Sequence, residues 1–156
     1  MAKFEVSIEK TGKLAKVSIS GVIDEDADFG PYSLAGIDHT DLYLSQIKSI
    51  NSCGIREWIK WINTAGVASI QYFECPKLIV DQINMVQGFL PAHAKVMSFY
   101  VPYFNEDSGS EKNVLFSYGT EFTEAGVQAP AAVVDEEGKP MEMDVIESKF
   151  FKFLKK

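Results

Sequence analysis

Cysteine is scarce in this 156-residue chain, which has only Cys53 and Cys75, and long hydrophobic runs are missing. Two cysteines cannot form the disulfide network that stabilises small secreted domains, so we expect a reducing, cytoplasmic compartment. No apolar stretch approaches the ~18 residues that a membrane-spanning helix needs. Residues 1–16 also have no hydrophobic core of a signal peptide. These absences argue against a secreted mini-protein and against a transporter.

Basic side chains are also in deficit, with 15 lysines and arginines against 22 aspartates and glutamates, which gives a net charge of −7. A surface of that sign repels phosphate backbones and anionic lipid, so we expect neither nucleic-acid binding nor stable membrane association. The composition, 46% hydrophobic and 24% charged, is that of an ordinary globular protein. Proteins are therefore the expected partners.

Motifs of catalysis and metal binding are absent from the sequence. His39 and His93 are isolated along the chain, and no spacing of histidine, cysteine and aspartate resembles a metal site. The acidic run Asp24–Asp26 lacks the glycine and the spaced ligands of a calcium loop, so we interpret it as a solvated turn. There is no glycine-rich phosphate loop and no nucleophile elbow. We expect no metal, no cofactor and no enzyme activity, because nothing in the sequence places an acid, a base and a nucleophile together.

The first part of the chain has the pattern of a β-hairpin. Phe4–Ile8 and Leu14–Ser20 alternate apolar with polar residues, and Thr11-Gly12-Lys13 between them favours a turn. Asp41–Leu44 is typical of a short strand that continues loosely to Ile50.

Two helices and two further strands follow in alternation. Helical spacing of apolar residues predicts a helix over 54–65, with Gly66 at its end, and a second helix that opens at Pro76. Val67–Phe73 and Lys95–Phe104 are predicted as strands. The apolar stripes are Ile55, Trp58, Ile59, Ile62 and Ala65 in the first helix, and Ile79, Ile83, Val86 and Leu90 in the second.

This order of elements predicts an α/β fold with a mixed sheet and helices packed on it, because parallel strands need helical crossovers. Residues 27–40 contain Gly30-Pro31 and Gly36, which interrupt any helix there. Beyond residue 104 we predict a small β-hairpin and a terminal amphipathic helix. Asn113–Ser117 is predicted as a strand, and Met141–Met143 is expected to pair back across the turn Gly138-Lys139-Pro140. The helix would carry Ile146, Phe150, Phe153 and Leu154 on its apolar side and Lys149, Lys152, Lys155 and Lys156 near its end.

Residues 3–104 resemble a STAS domain, the family of bacterial anti-sigma-factor antagonists and of transporter cytoplasmic tails. The resemblance rests on the hairpin, the turn Gly21–Asp24 and the strand-to-helix junction Ile50–Ile55. Within that junction, Asn51-Ser52-Cys53-Gly54 is similar to the Asp-Ser-Ser/Thr-Gly motif of the family. The chain departs from the family in having Asn51 for aspartate, Cys53 for the second hydroxyl residue and no long helix before residue 41.

The resemblance implies a signalling role in which a partner kinase, itself the anti-sigma factor, phosphorylates Ser52 and so controls a protein–protein contact. Trp61 follows Trp58 by three residues, so it lies at the edge of the apolar stripe, and we expect it to be partly exposed as an anchor for the partner. The predicted contact surface consists of Asp24, Asn51, Ser52, Cys53, Gly54, Glu57 and Trp61.

Two alternatives remain open for the same fold. The first is a STAS module that binds a small ligand, a nucleotide or a lipid, at the loops where Asp24 and Ser52 converge. The second is a scaffold protein in which Ser52 serves only as a helix cap and no switch operates. The sequence does not set the oligomeric state.

Residues 105–156 resemble a small zinc ribbon that has lost its cysteines. Asn105–Gly109 falls where one Cys-x-x-Cys-Gly turn of such a ribbon would fall, and a second turn is expected near Ala129–Ala132. Neither segment contains cysteine, so the resemblance implies no zinc. Without metal this extension must be held by apolar contacts, and the candidates are Val114, Phe116, Phe122, Phe150, Phe151 and Phe153.

Overall fold

A computed structural model describes residues 3–64 and 67–154 of the chain. Its strands are β1 (Glu5–Thr11), β2 (Leu14–Ile23), β3 (His39–Ile50), β4 (Ser69–Phe73), β5 (Ala94–Val96), β6 (Ser98–Phe104), β7 (Glu111–Ser117), β8 (Phe122–Thr123), β9 (Gly126–Val127) and β10 (Glu142–Met143). The α-helices are α1 (Ser52–Thr64), α2 (Lys77–Met85) and α3 (Glu147–Phe150), and short 3-10 turns lie at Gly30–Tyr32 and Lys152–Leu154. The sequence predictions for Ala65, Gly66, Lys155 and Lys156 lie outside the described residues.

The main sheet has five strands in the order β1-β2-β3-β4-β5. The predicted hairpin is confirmed, since β1 pairs antiparallel with β2 from Glu5↔Ser20 to Thr11↔Leu14. The remaining neighbours, β2 with β3, β3 with β4 and β4 with β5, are parallel. The predicted mixed α/β sheet is therefore confirmed, although β3 is a long strand where the sequence predicted a short one.

Helix α1 packs on one face of this sheet through Trp58, which is fully buried. The Trp58 Nε1–H donates to the Tyr72 hydroxyl at 3.2 Å, and that hydroxyl donates to the Phe89 carbonyl at 2.6 Å. Burial raises the pKa of Tyr72 well above its usual range. This chain of hydrogen bonds joins α1, β4 and the segment after α2 in one satisfied buried network.

The strand predicted over Lys95–Phe104 is wrong as a single element, because the chain changes sheet at Met97. The Met97 N–H donates to the Tyr72 carbonyl of the main sheet, while its carbonyl accepts from Tyr118 N–H, both at 2.8 Å. From there β6 becomes the central strand of a second sheet, in the order β10-β6-β7. The domain boundary predicted after Phe104 thus falls at the end of the central strand of that sheet.

The second sheet and the C-terminal segment share an aromatic cluster centred on Phe99, which is fully buried. Its ring lies 5.0–6.2 Å, centroid to centroid, from the rings of Phe116, Phe122, Phe150, Phe151 and Phe153. The apolar docking predicted for these five phenylalanines is confirmed, and Val114 also packs against the core.

The predicted terminal amphipathic helix is shorter than expected. The Asp144 N–H still donates to the Pro102 carbonyl of β6, so the extended chain continues to that point and α3 forms only over Glu147–Phe150. Ile146, expected on the apolar side, is instead 64% exposed at the start of the helix.

Two tight turns close the end of the second sheet. In the first, the Asn105 Oδ1 accepts the N–H groups of Asp107 and Ser108 at 2.9 and 3.0 Å. In the second, the Asp135 Oδ1 accepts the N–H groups of Glu137 and Lys139, both at 2.9 Å. The Ser108 Oγ–H donates to the Asp135 Oδ2 at 3.1 Å and so joins the two turns. The second turn expected near residues 129–132 is therefore wrong in position, since the side chain that organises it is Asp135.

Replacing Asn105 with alanine should lower the free energy of unfolding by about 1–3 kcal/mol. Asn105 is only 8% exposed, and its Nδ2 also donates to the Pro140 carbonyl at 2.8 Å, so the substitution leaves several backbone groups without partners. Urea denaturation would measure the change, with Glu106→Ala, at the exposed neighbouring residue, as the matched control. Equal, small effects of both substitutions would contradict this role for Asn105.

Candidate functional site

The candidate site lies where β3 ends and α1 begins. The Asn51 N–H donates to the Ile23 carbonyl at 3.1 Å, which ties the junction to the end of β2. The Asn51 carbonyl accepts the first helical hydrogen bond from Ile55, and its Oδ1 accepts the Gly54 N–H at 2.9 Å. Asn51 is therefore the N-cap of α1. The cap that the scaffold alternative assigned to Ser52 is therefore Asn51.

Gly54 brings the first turn of α1 against the end of β2. A Cβ atom at this residue would lie 2.1 Å from the Ile23 carbonyl oxygen and 2.9 Å from the Ile23 Cγ2. Only a residue without a side chain fits this contact, so glycine fixes how closely the helix approaches the strand.

The acidic turn after β2 is joined to the helix cap. The Asn51 Nδ2 donates to the Glu25 Oε2 at 2.9 Å, and the Asp24 Oδ1 accepts the Asp26 N–H at 3.0 Å. A hydrogen bond within Glu25 itself and the one from Asn51 hold the pKa of Glu25 below its usual value. Glu25 thus joins the acidic turn to the cap of α1.

Ser52 is exposed at the first helical position, whereas Cys53 beside it is half-buried. Glu57 lies further along the helix and is half-buried, with its Oε1 at 3.7 Å from the Lys60 Nζ. Ser52 is therefore within direct reach of a partner or a modifying enzyme.

Trp61 does not belong to this exposed surface. Its side chain is only 7% exposed, stacks on Phe29 with 4.8 Å between ring centroids, and donates its Nε1–H to the Tyr32 carbonyl at 2.8 Å. The expectation of partial exposure is wrong, because the connection between β2 and β3 folds over the ring. Trp61 holds that connection against α1 and is not a free anchor for a partner.

No family model, curated protein or solved structure matches this chain. The resemblances to a STAS domain and to a zinc ribbon therefore rest on the residues quoted above and stay predictions. Within residues 3–64 and 67–154, no helix is long and apolar enough to cross a membrane.

A second polar group, missed by the sequence interpretation, lies on the other face of the main sheet. His39 Nδ1 is 2.6 Å from Ser69 Oγ, and His39 Nε2 is 2.7 Å from Asp41 Oδ1. The structure thus brings a hydroxyl, an imidazole and a carboxylate together, a grouping that the sequence did not predict. Because His39 and Asp41 are two residues apart on one strand, the sequence indicates that they share a face of the sheet. Ser69 joins them only through the parallel register His39↔Ser69, which the sequence does not reveal.

Proposed function

We propose that the chain is a bacterial regulatory protein-interaction module, similar to an anti-sigma-factor antagonist, whose contact surface is the start of α1. The observation that carries the proposal is the exposed Ser52 hydroxyl on a backbone fixed on both sides by Asn51 and Gly54. A surface whose geometry is set before binding loses little conformational entropy when a partner docks. Such a module needs no cofactor, and its expected location is the cytoplasm.

Phosphorylation of Ser52 is the proposed switch. A phosphoserine adds about 1.5–2 negative charges, which the free N–H groups and the dipole at the start of α1 favour by only ~0.3–1 kcal/mol. The Glu25 carboxylate, held by Asn51, already makes this surface negative. The added charge would therefore leave the fold intact but impose repulsion and desolvation on a partner pressed against the helix, which releases it.

The partner implied by the resemblance is an anti-sigma factor with serine-kinase activity. It would bind the unmodified surface formed by Asp24, Asn51, Ser52 and the first turn of α1, with Glu57 at the margin. The buried Trp61 is not proposed as a contact.

Replacing Ser52 with aspartate should weaken capture of this kinase partner at least tenfold. The introduced charge mimics the phosphate at the contact, and a tenfold loss corresponds to about 1.4 kcal/mol. The measurement is a pull-down from native cells followed by titration of the identified ATP-binding partner. Ser148→Asp, which adds the same charge at an exposed serine of α3, is the matched control.

Intact-mass measurement of the protein from its own cells, with phosphatases blocked, should find one phosphate at Ser52. A partner that binds wild type and Ser52→Asp equally would reduce Ser52 to a helix residue and favour the scaffold alternative. A large rise in melting temperature with one nucleotide or lipid, and no protein partner, would favour the ligand-binding alternative.

A further inference from the structure

The second face of the main sheet is open and carries polar side chains. Parallel strands are usually covered on both faces, yet the residues of β3 and β4 that point away from the helices are only half-buried. These are His39, Asp41, Tyr43 and Ser45 on β3, and Ser69, Gln71 and Phe73 on β4. Groups on this face are accessible to small molecules from solution.

Ser69, His39 and Asp41 form a continuous hydrogen-bonded row at the start of β3 and β4. The register His39↔Ser69 puts the serine directly opposite the histidine, and the period of two along β3 puts Asp41 on the same face as His39. The imidazole therefore lies between a hydroxyl at 2.6 Å and a carboxylate at 2.7 Å. His39 and Asp41 side chains are 27% and 31% exposed.

The chemistry of the three groups sets the direction of the hydrogen bonds. An ionised carboxylate only accepts, so the neutral imidazole donates its Nε2–H to Asp41. Its Nδ1 then carries a lone pair and accepts the Ser69 O–H. A serine hydroxyl that donates to a neutral imidazole, itself oriented by a carboxylate, is the arrangement that activates serine as a nucleophile.

We propose that Ser69 is a nucleophilic serine, activated by His39 and oriented through Asp41, that accepts acyl groups from small activated esters. The position on an open sheet face suits small acyl groups that need no deep pocket. This inference is independent of the interaction proposed at Ser52, because it concerns the opposite end of β3.

In the acylation step, Ser69 Oγ forms a bond to the ester carbonyl carbon while its proton moves to His39 Nδ1. Asp41 stabilises the resulting imidazolium through the Nε2–H hydrogen bond. The carbon–oxygen bond to the alcohol then breaks, and the departing alkoxide takes the proton from His39 Nδ1. Water, deprotonated by the same nitrogen, later attacks the acyl carbon; the bond to Ser69 Oγ breaks, the carboxylic acid leaves, and Ser69 Oγ takes the proton back from His39 Nδ1.

The test uses the purified full-length chain with two probes, a fluorophosphonate that labels activated serines and p-nitrophenyl acetate. We expect one fluorophosphonate adduct, located at Ser69 by peptide mass, and release of p-nitrophenol above the buffer rate. Ser69→Ala should abolish the adduct, and His39→Gln should slow both reactions about 100-fold, at the low end of what a general base contributes. Asp41→Asn should also slow both reactions, because asparagine carries no negative charge to orient the imidazole and stabilise the imidazolium.

Ser18→Ala is the matched control, because Ser18 is an exposed serine on the same face and forms no hydrogen bond to a histidine among the described residues. It should leave the labelling unchanged. Circular dichroism of each variant separates loss of chemistry from loss of fold. Absence of an adduct on folded wild type, or equal labelling of wild type and His39→Gln, would overturn the proposal and leave the row as a structural contact.

Discussion

Alanine at position 54 should lower the free energy of unfolding by about 3 kcal/mol, the upper part of the range for side chains forced into filled space. In an ordinary helix the same change stabilises, because alanine has the higher helix propensity by about 1 kcal/mol. Here the new methyl group would lie 2.1 Å from the Ile23 carbonyl oxygen, a backbone atom of β2. That oxygen also accepts the Asn51 N–H, so it cannot move away without loss of a second contact. The expected change in the free energy of unfolding thus has the opposite sign to the change that helix propensity predicts.

Urea denaturation followed by tryptophan fluorescence would measure this effect. Ser52→Ala, two residues earlier and exposed, is the matched control and should change stability by no more than about 0.5 kcal/mol. A Gly54→Ala variant as stable as wild type would mean that α1 can retreat from β2 at little cost. The surface at Ser52 would then not be rigid, and the argument from a preorganised contact would fail with it.

The sequence predicted those parts of the fold that depend on local patterns. Alternation along β1 and β2 and the helical spacing around Trp58 each arise from neighbours in the chain, so the hairpin and α1 were found. The cap at Asn51 is local too, because its side chain bonds to a backbone group only three residues away. The junction at Ser52 could be placed for that reason.

Features that depend on distant segments were missed. Trp61 is buried because Phe29 and Tyr32, about thirty residues away, fold over it. The spacing of apolar residues along α1 does not indicate this contact. The break at Met97 likewise depends on Tyr72 and Tyr118, which bond to its two backbone groups from different sheets. An apolar run gives no sign of such a change of partner.

The contact between Ser69 and His39 is of the same kind. Register between parallel strands is set by the crossover between them and by the packing of the buried face, so residues thirty positions apart become neighbours without a local signal. His39 was therefore interpreted as an isolated surface residue, although its partners on both sides are present in the sequence.

Phe99→Ala should destabilise the protein by about 3–5 kcal/mol, the usual loss when a buried aromatic side chain is truncated in a core. Phe99 is fully buried, and five other phenylalanine rings, from β7, β8 and the C-terminal segment, surround it. The Cys75↔Phe99 bridge also joins β6 to the end of β4. The cavity left by the ring would therefore weaken both the aromatic cluster around Phe99 and the contact between the main sheet and the second sheet.

Two probes of the same unfolding experiment show whether the main sheet and the second sheet unfold together. Fluorescence of Trp58 and Trp61 reports on α1 and the main sheet, whereas far-ultraviolet circular dichroism reports on both sheets. We expect the two transitions to shift together, because Met97 bonds to Tyr72 of the main sheet and to Tyr118 just after β7, and Cys75, just after β4, bonds twice to β6. Tyr100→Ala, at the half-buried neighbour on the same strand, is the control and should cost less. If only the dichroism shifted, residues beyond the main sheet would unfold on their own, and a shared core around Phe99 would be contradicted.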